Sequence, residues 1–442
     1  MELRLDRRGA SMGQVRLFSF LFMGLAHLLV LKQYVKGAFF ALIELAFIAA
    51  IPMLVRSLIG LVTLGEPQPD IPVRFRDHSM FMMIEGIIAV AVILVFLLVY
   101  MVSIKSAKSI YKDYCIFGYV PGNKKTITML GDKAFPIVAL SPMIILLVFF
   151  VVVPLVFSAA VAFTNYSLPS NIPPANTVDW VGLDTFESVF ANNSEWSGAF
   201  GRVAVWTLVW AVAATLTCYA GGLFMAVILQ ESRIRIKPFF RAIFILPYAV
   251  PVVLSMLLWR NILNGSFGIL NRTLLELGWI TESTMIPWLS DPRLAKFTVI
   301  LVNLWAGFPY FMLLSMGTMT SIPKDMYEAA KIDGANNWQA FRSITLPKVI
   351  YQTMPLIIMS FTHNVNNFGA IFFLTGGNPS VADTPVTKAK GTDLLVTWIY
   401  ELTINMQWYN VASVLVICIF VVLAPFAIFN FVRTKSFKEG EA

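Results

Sequence analysis

Eight stretches of this chain are long and apolar enough to cross a lipid bilayer, and no other feature limits its fold as strongly. A helix needs about 20 mostly apolar residues, at 1.5 Å rise each, to span the hydrocarbon. Segments 37–58, 81–103, 136–160, 202–230, 240–262, 294–318, 348–374 and 409–432 reach that length. Inside lipid a backbone must satisfy its own hydrogen bonds, which leaves helices or a closed barrel. The period-2 alternation of barrel strands is absent. The expected fold is therefore all-α, a polytopic membrane helical bundle of about eight transmembrane helices. Composition agrees, because 58% of residues are apolar and only 13% charged, against roughly 25% charged in a soluble domain. A soluble enzyme, a disordered chain and a disulfide-stapled secreted domain are excluded. Cys115, Cys218 and Cys418 lie far apart, as do His27, His78 and His363. Neither a disulfide framework nor a metal site is expected.

Charge orients the bundle. With both termini on the cytoplasmic side, the inside segments are 1–36, 104–135, 231–239, 319–347 and 433–442. Counted to their edges at Arg241 and Lys348, they hold 23 of the 33 Lys and Arg. Lys105, Lys108, Lys112, Lys124, Lys125 and Lys133 crowd one of them, whereas Thr164 to Gly201 carries none. This is a positive-inside pattern, and it accounts for the net charge of +8 without nucleic acid. The apolar run 15–31 resembles a signal peptide in its basic lead, but it lacks a small-x-small cleavage pattern. If it crossed, every later loop would invert against the charge bias. We read it as a retained helix lying in the inner interface.

The most informative loop is Ser321 to Pro347. Pro323 suits the start of a helix over Lys324 to Asp333. Gly334 suits the left-handed position that ends it, and Asn336 or Asn337 can cap a second helix, Trp338 to Thr345. Pro347 is expected to stop that helix and to bias Leu346 away from helical angles. A DNA-reading helix–turn–helix fails on charge, since the second helix offers only Arg342. An ordinary connector and a docking element for a cytoplasmic partner remain. The string Glu328-Ala329-Ala330, three residues, Gly334, nine residues, Ile344-Thr345-Leu346-Pro347 resembles the coupling loop of bacterial ATP-binding-cassette (ABC) importer permeases. In that family the loop lies in a groove of the ATPase subunit.

The resemblance extends from about residue 136 to the C-terminus. It is carried by Leu304-Trp-Ala-Gly-Phe-Pro-Tyr310, Ser360-Phe-Thr-His-Asn-Val-Asn-Asn-Phe368, Leu374-Thr-Gly-Gly377 and Thr392-Asp-Leu-Leu-Val396. This part is similar to the larger permease subunit of maltose/maltodextrin importers. The best-known member carries a large external domain after its third span, whereas here that loop spans only 164–201. The resemblance implies a type I ABC importer permease fold in a bacterial cytoplasmic membrane, and it divides the chain into four parts. Residues 1–36 form a cytoplasmic N-terminus, and 37–135 form N-terminal spans with a basic loop. Residues 136–432 form the core permease with coupling loop 321–347, and 433–442 form a cytoplasmic tail. It implies a second permease subunit, two ATPase subunits, an extracytoplasmic sugar-binding protein and an oligosaccharide substrate. No cofactor is expected in this chain, ATP and Mg being held by the ATPase subunits.

Polar residues inside spans mark either a path or contacts between helices. Ser360, His363, Asn364 and Asn367 are spaced to share one helical face, as are Asn303, Gly307 and Tyr310. Amides and hydroxyls suit neutral sugar hydroxyls because each can donate and accept, and Tyr310 offers a flat face. Pro309 is expected to loosen the helix beside them. Chemistry alone leaves path and helix contact equal. The resemblance implies the path, because Gly307, Tyr310, Ser360, Asn364 and Asn367 match sugar-lining positions of the similar permeases, and His363 stands where an aromatic is usual. A permease for another sugar class is the nearest alternative. Glu44 and Glu85 in the first two spans support a proton-coupled carrier less well, since inverted repeats are not evident. HExxH, GxSxG and GxxxxGK[ST] strings are all missing from the sequence, so the expectation is a transport subunit that is not itself an enzyme.

Overall fold

The structure is a computed structural model that describes residues 2–3, 11–121, 135–191, 194–230 and 236–433. Arg4, Arg7, Arg8, Lys124, Lys125, Lys133 and the tail 434–442 lie outside the described residues. Among the described residues, seven helices are long and apolar enough to cross a membrane, and a bent pair counted as one span brings the number to eight. The chain forms two compact units, Met1–Gly182 and Leu183–Ala442.

The first unit opens with a short antiparallel pair, β1 (Glu2–Leu3) on β2 (Val120–Pro121). Helix α1 (Met12–Leu21) is capped by Ser11 and Gln14. Its ten residues cover about 15 Å, half of what a crossing needs. A hook then reverses the chain into α2 (Tyr34–Thr63). Gly24 makes this hook possible: its φ is +89°, and any Cβ there would collide with the Gly37 carbonyl. The Met23 N–H at the bend donates to the buried carboxylate of Glu44. Glu44 thus serves the hook, and a proton relay is not needed to explain it. Burial and nearby Lys36 hold His27, in the same hook, down to about 4.

Helix α3 (Ser79–Phe117) has 39 residues, about 58 Å at the helical rise, so it projects well beyond the bilayer. It packs on α2 where Gly86 lets the two backbones approach at Ser57 and Leu61. The third span is α4 (Phe135–Leu147), a wide π turn and α5 (Val153–Val161). It packs on α3, which places it in the first unit rather than with the later spans. Arg76 ties the 65–78 loop to the 164–182 loop by donating to the carbonyls of Pro69, Ile71 and Ala175.

The second unit is built around α7 (Glu195–Gln230), preceded by α6 (Asp184–Phe190). It is the most buried of the candidate spans. Helix α11 (Pro292–Thr320) lies along it. Gly222 permits this, because a Cβ there would strike Phe308 and Met312 backbone atoms at 2.6–2.7 Å. Helices α8 (Lys237–Ala249) and α9 (Val252–Ile262) meet at 90°, so the expected straight span 240–262 is broken. Pro251 withholds a donor and disfavours helix at Val250, which is extended (ψ 134°). Helix α10 (Ile269–Glu276) lies in the following loop.

After α11 come α12 (Lys324–Ile332) and α13 (Asn337–Ala340), a π turn at Phe341–Thr345, and α14 (Leu346–Val365). Pro347 does not stop the helix as expected. The wide turn supplies the room its ring requires, and Leu346 keeps helical angles (φ −58°, ψ −49°). The expected seventh span 348–374 instead ends at Val365, and α15 (Phe368–Leu374) is a separate helix. Helices α16 (Thr384–Thr387), α17 (Leu395–Tyr400) and α18 (Tyr409–Arg433) complete the unit.

Candidate functional site

The loop between α11 and α14 forms a small elbow. Met326, Tyr327, Phe341, Ile344 and Leu346 turn toward a buried cluster that includes Met319, Ile322 and Val349. Tyr327 Oη and Thr345 Oγ1 lie 2.8 Å apart and share a hydrogen bond. Gly334, at φ +82°, closes α12, with its N–H and that of Ala335 bonded to the carbonyls of Lys331 and Ala330. Asn336 and Gln339 cap α13 reciprocally at 2.8 Å. The turn between the two short helices is therefore locked. The outer surface is not finished: Glu328, Ala329, Gly334 and Pro347 are exposed. Ile332 is 86% exposed and Trp338 66%, and Trp338 stacks on Phe341 at 5.5 Å. Large apolar side chains are thus presented together on an otherwise polar surface, a feature common at interaction sites.

The polar residues of the sixth and seventh spans separate into two groups. Ser360, His363 and Asn364 share α14, but Asn367 lies beyond its end. The helix stops because Asn367 turns its Oδ1 to the Ala370 N–H at 3.2 Å and starts α15. Its Nδ2 donates to Asn364 Oδ1 at 3.2 Å. Asn364 is buried, donates to Thr215 Oγ1 of α7 at 3.0 Å, and receives the Trp210 Nε1–H on its carbonyl at 3.1 Å. These two amides fasten a broken helix to α7. Gly307 has a similar part: a Cβ there would lie 2.7 Å from Cys218 Sγ. Helix α11 runs unbroken through Pro309, so the expected loosening does not occur. Ser360 is half-buried and His363 exposed, and neither side chain has a hydrogen-bond partner among the described residues. Tyr310 meets Tyr248 of α8, ring centroids 6.1 Å apart, because the bend after Ala249 turns the chain away.

Sequence reasoning missed the partners on α7. Trp206, Trp210, Ala214 and Cys218 recur every four residues, a stripe that could have marked the buried face. It also missed a cap formed by residues 375–408. There Arg202 donates to both Asp383 oxygens at 2.8 Å and to the carbonyls of Ala389 and Lys390. Asp393 is buried against Gly377, accepting from the Lys390 N–H at 2.7 Å and Thr397 Oγ1 at 2.9 Å. Burial nevertheless pushes its carboxyl up to about 6. Thr375 and Thr392 hydroxyls meet at 2.8 Å, and Trp206 Nε1 donates to the Thr392 carbonyl. The strings at 374–377 and 392–396 are thus two halves of one knot.

A multi-span helical unit with an elbow whose apolar tip is exposed and a helix break lined with amides is the architecture of a membrane permease. Comparison with known proteins gives the family. Residues 219–435 match the family described as "Binding-protein-dependent transport system inner membrane component". The chain is 39% identical to the galactooligosaccharides transport system permease protein GanP of Bacillus subtilis (strain 168), over 92% of this chain and 94% of that one. It is 34% identical to the maltodextrin transport system permease protein MalC of Streptococcus pneumoniae (strain TIGR4), over 92% of each chain. A chain of a bacterial ABC transporter involved in import of the acidic polysaccharide alginate shares the fold, with a TM-score of 0.56 and 22% identity over 69% of this chain and 96% of that one. The chain belongs to the binding-protein-dependent ABC importer permeases, and it is a multi-span membrane subunit of such a transporter.

Proposed function

We propose that this permease forms part of the translocation path for a neutral oligosaccharide of the maltodextrin or galacto-oligosaccharide class. In this reading it lies in a bacterial cytoplasmic membrane with both termini cytoplasmic. It assembles with a second permease subunit, two ATPase subunits and an extracytoplasmic sugar-binding protein. ATP and Mg belong to the ATPase subunits, and this chain hydrolyses nothing. The exposed apolar tip of the elbow carries the reading, because Ile332 and Trp338 stand uncovered on either side of a turn closed by Gly334 and capped by Asn336. Glu328, Ala329, Ala330, Gly334, Ile344, Leu346 and Pro347 form or position the surface that the ATPase grips.

The sugar meets Tyr310, Ser360 and His363, whose side-chain polar groups have no hydrogen-bond partner among the described residues. Asn364 and Asn367 hold the helix break beside it, and each retains one amide hydrogen for a sugar oxygen. Gly307 keeps the neighbouring helices close enough to shape the wall. Closure of the ATPases displaces the elbow, and the α14 end at Val365 shifts relative to α7, changing access to the sugar. A proton-coupled carrier is the weaker reading, since the Glu44 carboxylate already receives the Met23 N–H. The test is ATPase activity of the assembled transporter with its binding protein and a panel of oligosaccharides. Stimulation by α-glucans or galactosides is the expected result. Uptake by this chain alone on a proton gradient would overturn the reading.

A further inference from the structure

A groove of about 450 Å³ lies on the second unit, lined by Gly201, Arg202, Val205, Trp206, Val209 and Lys296. It sits at the end of α7 and α11 opposite the elbow. Lys296 is the fifth residue of α11 and Arg202 the eighth of α7, about 6 and 10 Å from their helix starts. Both stand at the start of the apolar stretches 202–230 and 294–318 of their helices, the place where tryptophan and basic side chains anchor spans in the head-group layer. Below it Val205 and Val209 are exposed on α7, at the level of acyl chains.

The charges of the groove do not cancel among the described residues. Arg202 is neutralised by Asp383, with both carboxylate oxygens at 2.8 Å. The Lys296 ammonium lies 4.7 Å from the centre of the Trp206 ring, and among the described residues it has no carboxylate or hydrogen-bond partner. The indole is fixed, since its Nε1 donates to the Thr392 carbonyl at 3.1 Å. One uncompensated positive charge with free N–H donors is thus held rigidly above an apolar trough. That pattern complements one phosphodiester anion carrying an acyl chain.

We propose that this groove binds an anionic phospholipid of the leaflet opposite the elbow. Lys296 holds the phosphate, and Val205 and Val209 carry an acyl chain. The test uses the complete transporter containing this chain, purified and incorporated into nanodiscs of phosphatidylglycerol or of phosphatidylcholine, with retained lipid counted by native mass spectrometry. Lys296→Gln should retain phosphatidylglycerol about fivefold less, the loss of one lysine at an anionic lipid surface. Lys296→Arg should restore retention, and phosphatidylcholine should show no such difference. Val209→Trp fills the trough without touching the charge and should expel the same lipid, which keeps the test open if Lys296→Gln fails to assemble. Equal phosphatidylglycerol retention by Lys296→Gln and Val209→Trp as by the unaltered chain overturns the proposal. Displacement by inorganic phosphate alone overturns the lipid as ligand. Photo-crosslinking from p-benzoylphenylalanine in place of Val209 should capture lipid, and capture of another transporter subunit instead would make the groove a subunit contact and overturn it too.

Discussion

The elbow at 321–347 and the cap at 375–408 are made of similar parts, short helices joined by glycines at positive φ, and they finish their surfaces in opposite ways. The cap closes on itself. Trp398 is fully buried, with its Nε1 on the Thr387 carbonyl, and Arg202 consumes Asp383. The elbow caps the turn between its helices with Gly334, Asn336 and Gln339 but leaves Ile332 and Trp338 in the open. The cap leaves Val386 (47%) and Ile404 (59%) exposed, but its tryptophan and its ion pair are spent internally, as suits an element that holds spans together. In the proposed reading, the larger apolar area left open on the elbow is what the ATPase covers.

Four substitutions or conditions test that contrast, in falling order of effect. Gly334→Val should abolish ATP-driven uptake while the chain remains in the membrane. The new side chain meets open space, but φ +82° resists it by about 1–2 kcal/mol, so the tip moves without a core being lost. Wild-type uptake in this variant would remove the elbow from the mechanism. Asn364→Ala should cost about 1–3 kcal/mol by leaving the Thr215 hydroxyl and the Asn367 amide unpaired, read as a lower melting temperature together with reduced uptake. An unchanged melting temperature would mean that Asn364 does not hold the break.

Arg202→Met leaves Asp383 without its partner. The pair is partly exposed, with side chains 28% and 21% accessible, so the expected loss is about 1 kcal/mol. Hydrogen exchange should quicken across 383–401 and remain unchanged in the elbow. Quickening in both would show that the two regions are not independent. The smallest effect is one of pH. Asp393 titrates near 6 in the fold against 3.8 in the open chain, so the folded cap binds the extra proton. Its added stability is present below about 4 and is lost as pH rises through about 6. Cap protection should therefore be greater at pH 5 than at pH 7, and Asp393→Asn should flatten the difference.

Hydropathy made the spans legible, since their number and approximate limits depend only on apolar length. It could not reveal the breaks. Apolar residues run through Val250 and Pro251 without pause, so a hydropathy sum is blind to the 90° turn there. The spacing of Ser360 to Asn367 fits an ideal helix, yet Asn367 spends its side chain on capping α15. Whether an amide faces a path or fastens a helix depends on Thr215 and Trp210, some 150 residues earlier in the chain. The elbow was far more legible, because its caps are local: Asn336 meets Gln339 three residues on, and Gly334 acts at its own position. Pro347 was misread because nothing in the sequence announces the π turn before it.

That π turn has a mechanical consequence. It lets Asn337–Val365 continue as one helical run of 29 residues, about 43 Å long. Trp338 sits near one tip and Asn364 near the other. In the proposed reading this run is a pushrod, fitted with a grip at the motor end and a joint at the cargo end.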